Sequence, residues 1–214
     1  MGLINKYFDK IYCIHVVGNS DRLNNIKKLS SMLQSKIHIF PACTPKTCVL
    51  PTNLSIIPEE YACAMSHIKL WDYALTDNYK RCLILEDDAI LNNDIDLDAM
   101  LIKCGDQLVD EKYNLSFLGL NYKCANLISI SDNLVSVKRA YALHAYSPTK
   151  EGLCFFKKHI SETFLKNNQK PIDVHTANLY SQMSTIAIKP PIFIQKAGYS
   201  LIQKHVLDYR ESLK

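Results

Sequence analysis

The stretch Cys82-Leu83-Ile84-Leu85-Glu86-Asp87-Asp88-Ala89-Ile90-Leu91 constrains the chain most, because a continuous apolar run ends in three adjacent carboxylates. Continuous rather than alternating hydrophobicity fits a strand covered on both faces, although four residues also fit a buried helical turn. Two unit charges about 4 Å apart repel by roughly 4 kcal/mol at an effective dielectric of 20. A positive charge is therefore expected at this strand end. On an extended strand, residues i and i+2 share a face, so Glu86 and Asp88 are expected on one side and Asp87 on the other. That spacing suits Mg²⁺ or Mn²⁺, which take one or two carboxylates and complete their shell with water and phosphate oxygens. A solvated acidic turn is the simpler alternative.

The rest of the chain reads as strands alternating with helices. Lys10 to Val17 is apolar and β-branched, and Gly18-Asn19-Ser20-Asp21 turns into a helix from Arg22 to Leu33, with Ser20 or Asp21 as cap. A strand, a short loop and a helix opening on Arg22 can meet an anion with backbone N–H groups and a guanidinium. Ile37 to Ala42 is a second strand, and Cys43 to Ile57 a loop. Pro58-Glu59-Glu60 opens a helix that is apolar on nearly every side, with Ser66 and His67 inside it. Further elements are a helix from Ala99 to Val109, a strand from Leu115 to Leu120, and one or two strands between Val135 and Tyr146. A helix from Pro148 to His159 and a last strand from Thr185 to Ile188 complete the series. Gly119 is expected where a ligand or neighbouring backbone comes close. The tail from Gly198 to Lys214 is polar and expected to be partly mobile. This pattern predicts a single α/β domain over 1–214 with a mostly parallel sheet, whose ligands bind at the carboxyl ends of the strands.

Composition excludes several classes. At 214 residues, 48% hydrophobic and 21% charged, with net charge +4, the chain is an ordinary globular one. It has no basic stripe for nucleic acid, no apolar segment able to span a bilayer and no secretory leader, so a cytoplasmic location is expected. The eight cysteines read as reduced residues. Cys63 and His67 stand at helical spacing, yet without a Cys-x-x-Cys pair a structural zinc site is not expected.

The order of motifs resembles glycosyltransferase family 25, the lipopolysaccharide-type and collagen galactosyltransferases, from about Tyr12 to Gln195. The resemblance rests on Ile14-His15-Val16-Val17-Gly18-Asn19-Ser20-Asp21-Arg22, on Glu60 to His67 followed by Trp71, and on Leu83 to Asp88. Phe117-Leu118-Gly119, Ala140-Tyr141-Ala142, Pro171-Ile172-Asp173 and Pro190-Pro191-Ile192 with Gln195 follow in order. His15 stands where the family usually has asparagine, and Ala62 where it has glycine. The resemblance implies a GT-A fold, a nucleotide-sugar donor and a DXD-like motif holding Mn²⁺ or Mg²⁺. Carried over, Asp88 with Glu86 binds the metal, and His15, Arg22, Ser66, His67, Glu86 and Asp87 surround the donor. Asp173 is the expected base of an inverting transfer, its alternative being a helix cap. His175 and His205 are read as solvated surface histidines rather than extra ligands. The implied reaction moves galactose or glucose from a UDP-sugar to a glycan, glycoprotein or hydroxylated side chain. A nucleotidyl- or phosphotransferase is disfavoured because the Walker-type loop is missing. A non-catalytic nucleotide-sugar-binding module remains the other alternative.

Overall fold

The computed structural model describes residues 1–161, 164, 169–199, 202 and 206–207. Strands β1 (Lys10–His15), β2 (Ile37–Pro41) and β3 (Cys82–Glu86) alternate with helices α1 (Ser20–Met32) and α2 (Pro58–Thr76). A short strand β4 (Ala89–Leu91), helix α3 (Leu97–Leu108) and a long hairpin of β5 (Leu115–Ser131) and β6 (Leu134–Pro148) follow. Helices α4 (Lys150–Phe156) and α5 (Ile172–Ala177) and strands β7 (Thr185–Ile188) and β8 (Phe193–Gln195) complete the main body. The sheet order is β2-β1-β3-β6-β5-β7, with β6 alone running against the other strands. The expected mostly parallel α/β sheet is therefore present.

The continuity of the β3 run has a simple cause. Cys82 and Ile84 enter a core with Tyr61, Leu70 and Trp71 of α2, while Leu83 and Leu85 enter the opposite core with Ile26 and Leu29 of α1 and Leu101 of α3. All four residues are fully buried, so neither face tolerates a polar position.

Several boundaries differ from the expectation. Asn19, rather than Ser20 or Asp21, caps α1 by accepting the Arg22 N–H. The segment Asn121–Ser131, polar and without strand signal, continues β5 because β6 lies beside it and the hairpin tip folds onto β7, where Leu134 pairs with Ile188. Val135 to Tyr146 is one strand within β6. The helix after Pro148 is α4 alone, capped by Thr149 and ending at Phe156 in a wider turn. From the expected mobile tail, Gly198–Tyr199 pairs with Val206–Leu207; positions 200–201, 203–205 and 208–214, including His205, lie outside the described residues. Among the described residues no helix is long and apolar enough to cross a membrane.

Gly119 meets a neighbouring backbone, as expected. A Cβ there would collide with the Phe193 carbonyl of β8 and Nε2 of His144 on β6. Strand β8 also pairs with β4, holding the chain just past the acids: Ala89 faces Gln195, and the Lys196 N–H donates to the Asp88 carbonyl.

Candidate active site

Register brings the acids to the carboxyl end of the sheet. Ile14 of β1 lies opposite Glu86 of β3, so the next residue on each strand, His15 and Asp87, meet. His15 Nδ1 lies 2.8 Å from Asp87 Oδ2, which also accepts the Val16 N–H at 3.2 Å.

The strand ends at Glu86, and Asp87-Asp88 form a turn into β4. This breaks the expected alternation. Asp88 does not pair off with Glu86; instead Asp87 and Asp88 share Arg22, whose Nη1 is 3.8 Å from Asp87 Oδ1 and 3.2 Å from Asp88 Oδ2. Asn25, also on α1, donates to the carbonyls of Asp87 and Ala89 and fixes the turn. Glu86 keeps the strand's direction and faces α2, where its Oε1 lies 3.1 Å from His67 Nε2. The repulsion among the acids is thus met by the protein itself, with His67 beside Glu86, His15 beside Asp87, and Arg22 between Asp87 and Asp88.

Behind His67 the polar groups fix a proton order. The Trp71 Nε1–H can only donate, and it donates to the Tyr146 hydroxyl at 2.8 Å. Tyr146 in turn lies 2.9 Å from His67 Nδ1. For a neutral imidazole, Tyr146 gives its proton to Nδ1, and the Nε2–H is left to donate to Glu86. Burial pushes the Glu86 carboxyl up, but the His67 hydrogen bond and the electrostatic pull of His67, His144 and Arg22 outweigh it and hold Glu86 below the ordinary carboxylate range.

Asp173 sits in the first turn of α5, where Pro171 rather than Asp173 is the cap residue. Burial raises its pKa and the charge of Glu86 adds to the rise, against the N–H groups of Val174 and Ala142, which draw it down. Ala142, on β6, holds a left-handed φ of 72°, an uncommon conformation for a residue with a Cβ. Asp173 and Glu86 thereby share one region at the carboxyl edge of the sheet.

Ser66 is placed differently from the other expected donor contacts. Its hydroxyl donates to the Ala62 carbonyl and accepts the Cys43 N–H, both at 2.8 Å, and it is buried. It ties the loop after β2 to α2. His175, expected at the surface, is buried at 9% exposure, and its Nε2 accepts the Lys170 N–H because the preceding loop folds over it.

Sequence reasoning missed His144 and Tyr146. Strand β6 carries both inward, as members of an apolar run without motif character. The His144 Nε2–H donates to the Phe193 carbonyl at 3.3 Å, burial pulls its pKa down, and its Nδ1 is buried without a partner. A surface cavity of about 550 Å³ lies elsewhere, under the hairpin arm, lined by Tyr122, Asp132, Val135, Lys189 and Pro190.

A divalent cation has one fitting ligand group here. Asp88 Oδ1 is a hard carboxylate oxygen, buried and without any hydrogen-bond partner, which is a position a cation would satisfy. Glu86 engages only Oε1 in its bond to His67.

The model of glycosyltransferase family 25, described as an LPS biosynthesis protein, matches residues 8–172. The chain belongs to glycosyltransferase family 25. The match spans β1 through the start of α5 and so takes in the acids, His67 and the Arg22 turn. Among solved structures, this family 25 chain is similar to a glycosyltransferase involved in the glycosylation of the major capsid of PBCV-1, with TM-score 0.50 at 13% identity over 91% of this chain and 95% of that one. That likeness shows the fold, which is GT-A-like. The galactosyltransferase LgtC, solved with donor and acceptor sugar analogs, has TM-score 0.46 at 10% identity over 83% of this chain and 72% of that one. A search of the curated proteins gave no match. As a family 25 member, the protein is a glycosyltransferase acting between a sugar donor and an acceptor.

Proposed function

We propose that the protein transfers a hexose, galactose or glucose, from a UDP-sugar to a hydroxyl of a glycan or glycoprotein, with inversion at the anomeric carbon and dependence on Mn²⁺ or Mg²⁺. The observation that carries this is a buried, unpartnered Asp88 oxygen just past the end of β3, together with a half-buried Asp173 carboxyl close enough to Glu86 to feel its charge.

Asp173 is the base. Burial raises its pKa, which makes it a better proton acceptor than an exposed aspartate. It takes the proton of the acceptor hydroxyl as that oxygen bonds to the anomeric carbon; the bond to the diphosphate breaks, and the diphosphate leaves with the electron pair. Arg22 supplies positive charge beside the acids and meets the diphosphate. Glu86, kept ionised by His67, orients the donor. His15 holds Asp87, and Asp87 positions Arg22. Asp88, with Glu86, would hold a divalent cation, which would supply positive charge against the charge developing on the leaving diphosphate.

Asp173→Asn is expected to lower transfer by 10²- to 10⁴-fold, the usual share of a general base, and to leave UDP affinity within about threefold. Equal loss of both would make Asp173 a binding or structural residue. A thermal-shift screen of UDP-, GDP- and TDP-sugars with and without Mn²⁺ identifies the donor, since a ligand of the native state raises its apparent stability. No UDP release from any UDP-hexose with Mn²⁺, together with unchanged donor binding in Asp88→Ala, would refute the enzymatic proposal.

A further inference from the structure

Cys63 takes no part in the transfer chemistry, yet it stands one helical turn before His67 on α2, facing the end of β3. Its Sγ, a His67 ring nitrogen and a Glu86 carboxylate oxygen all lie within 4.8 Å of one another. The sequence offered two of these donors at helical spacing; only the fold supplies the third, from another element.

We propose that Cys63, His67 and Glu86 form a site for a thiophilic divalent cation, Zn²⁺ by its chemistry, which shares Glu86 with the hard-ion position at Asp88 and differs from it in its sulfur and nitrogen donors. A thiolate, an imidazole and a carboxylate are a zinc donor set, and three protein ligands leave a coordination position open. Mg²⁺ and Mn²⁺ prefer oxygen-only shells and are not drawn to sulfur. The surrounding structure is already built. His67 is anchored through Nδ1 to Tyr146, which is anchored to Trp71, the kind of outer support that orients metal-bound histidines. Cys63 and Glu86 are both partly exposed, so the cation has a way in.

Cys63 gives up its thiol proton to solvent on binding the cation. His67 stays neutral: Nε2 turns its lone pair to the metal, and its proton is now carried on Nδ1, where the Tyr146 oxygen accepts it alongside the Trp71 N–H. The Tyr146 hydroxyl proton loses its His67 acceptor, one hydrogen bond exchanged for three metal bonds. A cation there also engages Glu86, so Zn²⁺ is expected to inhibit transfer; this consequence alone rests on the proposed function.

The test is Co²⁺ titration of the reduced, chelator-stripped full-length protein, read by thiolate-to-cobalt charge-transfer absorption. The expected result is a saturable band with release of about one proton, displaced by Zn²⁺, abolished in Cys63→Ser and retained in Cys48→Ser and Asp88→Asn. Tyr146→Phe should weaken Zn²⁺ binding roughly 10- to 100-fold, as loss of an outer-shell partner does. Should Cys63→Ser melt early, Glu86→Gln keeps the thiolate and is expected to retain the band at weaker affinity. Absence of the band in the wild-type protein, or an undiminished band in folded Cys63→Ser, overturns the proposal. Since the band does not depend on turnover, its loss is separable from failure of the transferase assignment.

Discussion

Replacing Tyr146 by Phe removes one oxygen atom and leaves two buried groups without partners. The volume is conserved, so cavity terms are small, and the cost is the desolvation of what remains. Trp71 Nε1–H and His67 Nδ1 both lose their bond to the hydroxyl, and the two residues are 0% and 1% exposed. At roughly 1–3 kcal/mol for each orphaned group, the expected loss is roughly 2–6 kcal/mol. His67 can recover part of this by shifting its proton to Nδ1, which places the result toward the lower end. For a chain of this length, each 1 kcal/mol lowers Tm by about 2–4 °C. Urea denaturation should show an earlier midpoint with an unchanged m-value. A cycle with His67→Gln should give a coupling energy of roughly 0.5–3 kcal/mol, as for residues in one network. Nitrogen-15 NMR provides the second readout: in the wild-type protein His67 carries its proton on Nε2, and in Tyr146→Phe that preference is lost. The sign of the pH dependence follows from Glu86, whose folded pKa is depressed. Its stabilisation is present above the ordinary glutamate value of about 4.3 and lost as pH falls through the lower folded value; the variant should flatten that acid-side loss. A destabilisation under about 0.5 kcal/mol with the Nε2–H tautomer intact would refute the proton order deduced here.

Two further outcomes test the edge of the sheet. Gly119→Ala drives a Cβ into the Phe193 carbonyl and His144, and since backbone must move, a loss of about 1–3 kcal/mol is expected in thermal or urea melts. An unchanged melt would mean β8 is not packed against β5 as described. Asp173 has a raised folded pKa, so kcat/KM should rise with pH through an inflection above the ordinary aspartate value of about 3.9. The same residue makes stability fall as pH rises through that window, because the native state binds more protons there than the unfolded one. In Asp173→Asn that inflection should vanish; its persistence assigns it to another group.

The sequence by itself determined the elements whose signals are local. The buried β3 strand, the Pro58 start of α2, the βαβ alternation and the tight spot at Gly119 follow from periodicity, capping chemistry and the absence of a side chain, and each depends on neighbours along the chain. The acidic stretch was recognisable for the same reason, as a run of carboxylates with no local counter-charge. What the sequence could not settle is where those charges go. Pleat alternation assigned Glu86 and Asp88 to one face, but the strand stops one residue too early for the rule to apply. Register between β1 and β3 then gives Asp87 to His15, α1 gives Asp88 to Arg22, and α2 gives Glu86 to His67. Ser66 stands out in the sequence as a polar residue on an apolar helix; only the fold shows its hydroxyl joining the Ala62 carbonyl to the Cys43 N–H. Tyr146 and His144 had no signal of their own, since a polar residue in an apolar strand is informative only once its opposite number is known. Cys63 and Glu86 are separated by most of a helix and a strand along the chain, and their meeting at His67 belongs to tertiary structure alone. Local physics selected the strands and helices; long-range pairing decided which partner each acid meets and which oxygen is left open.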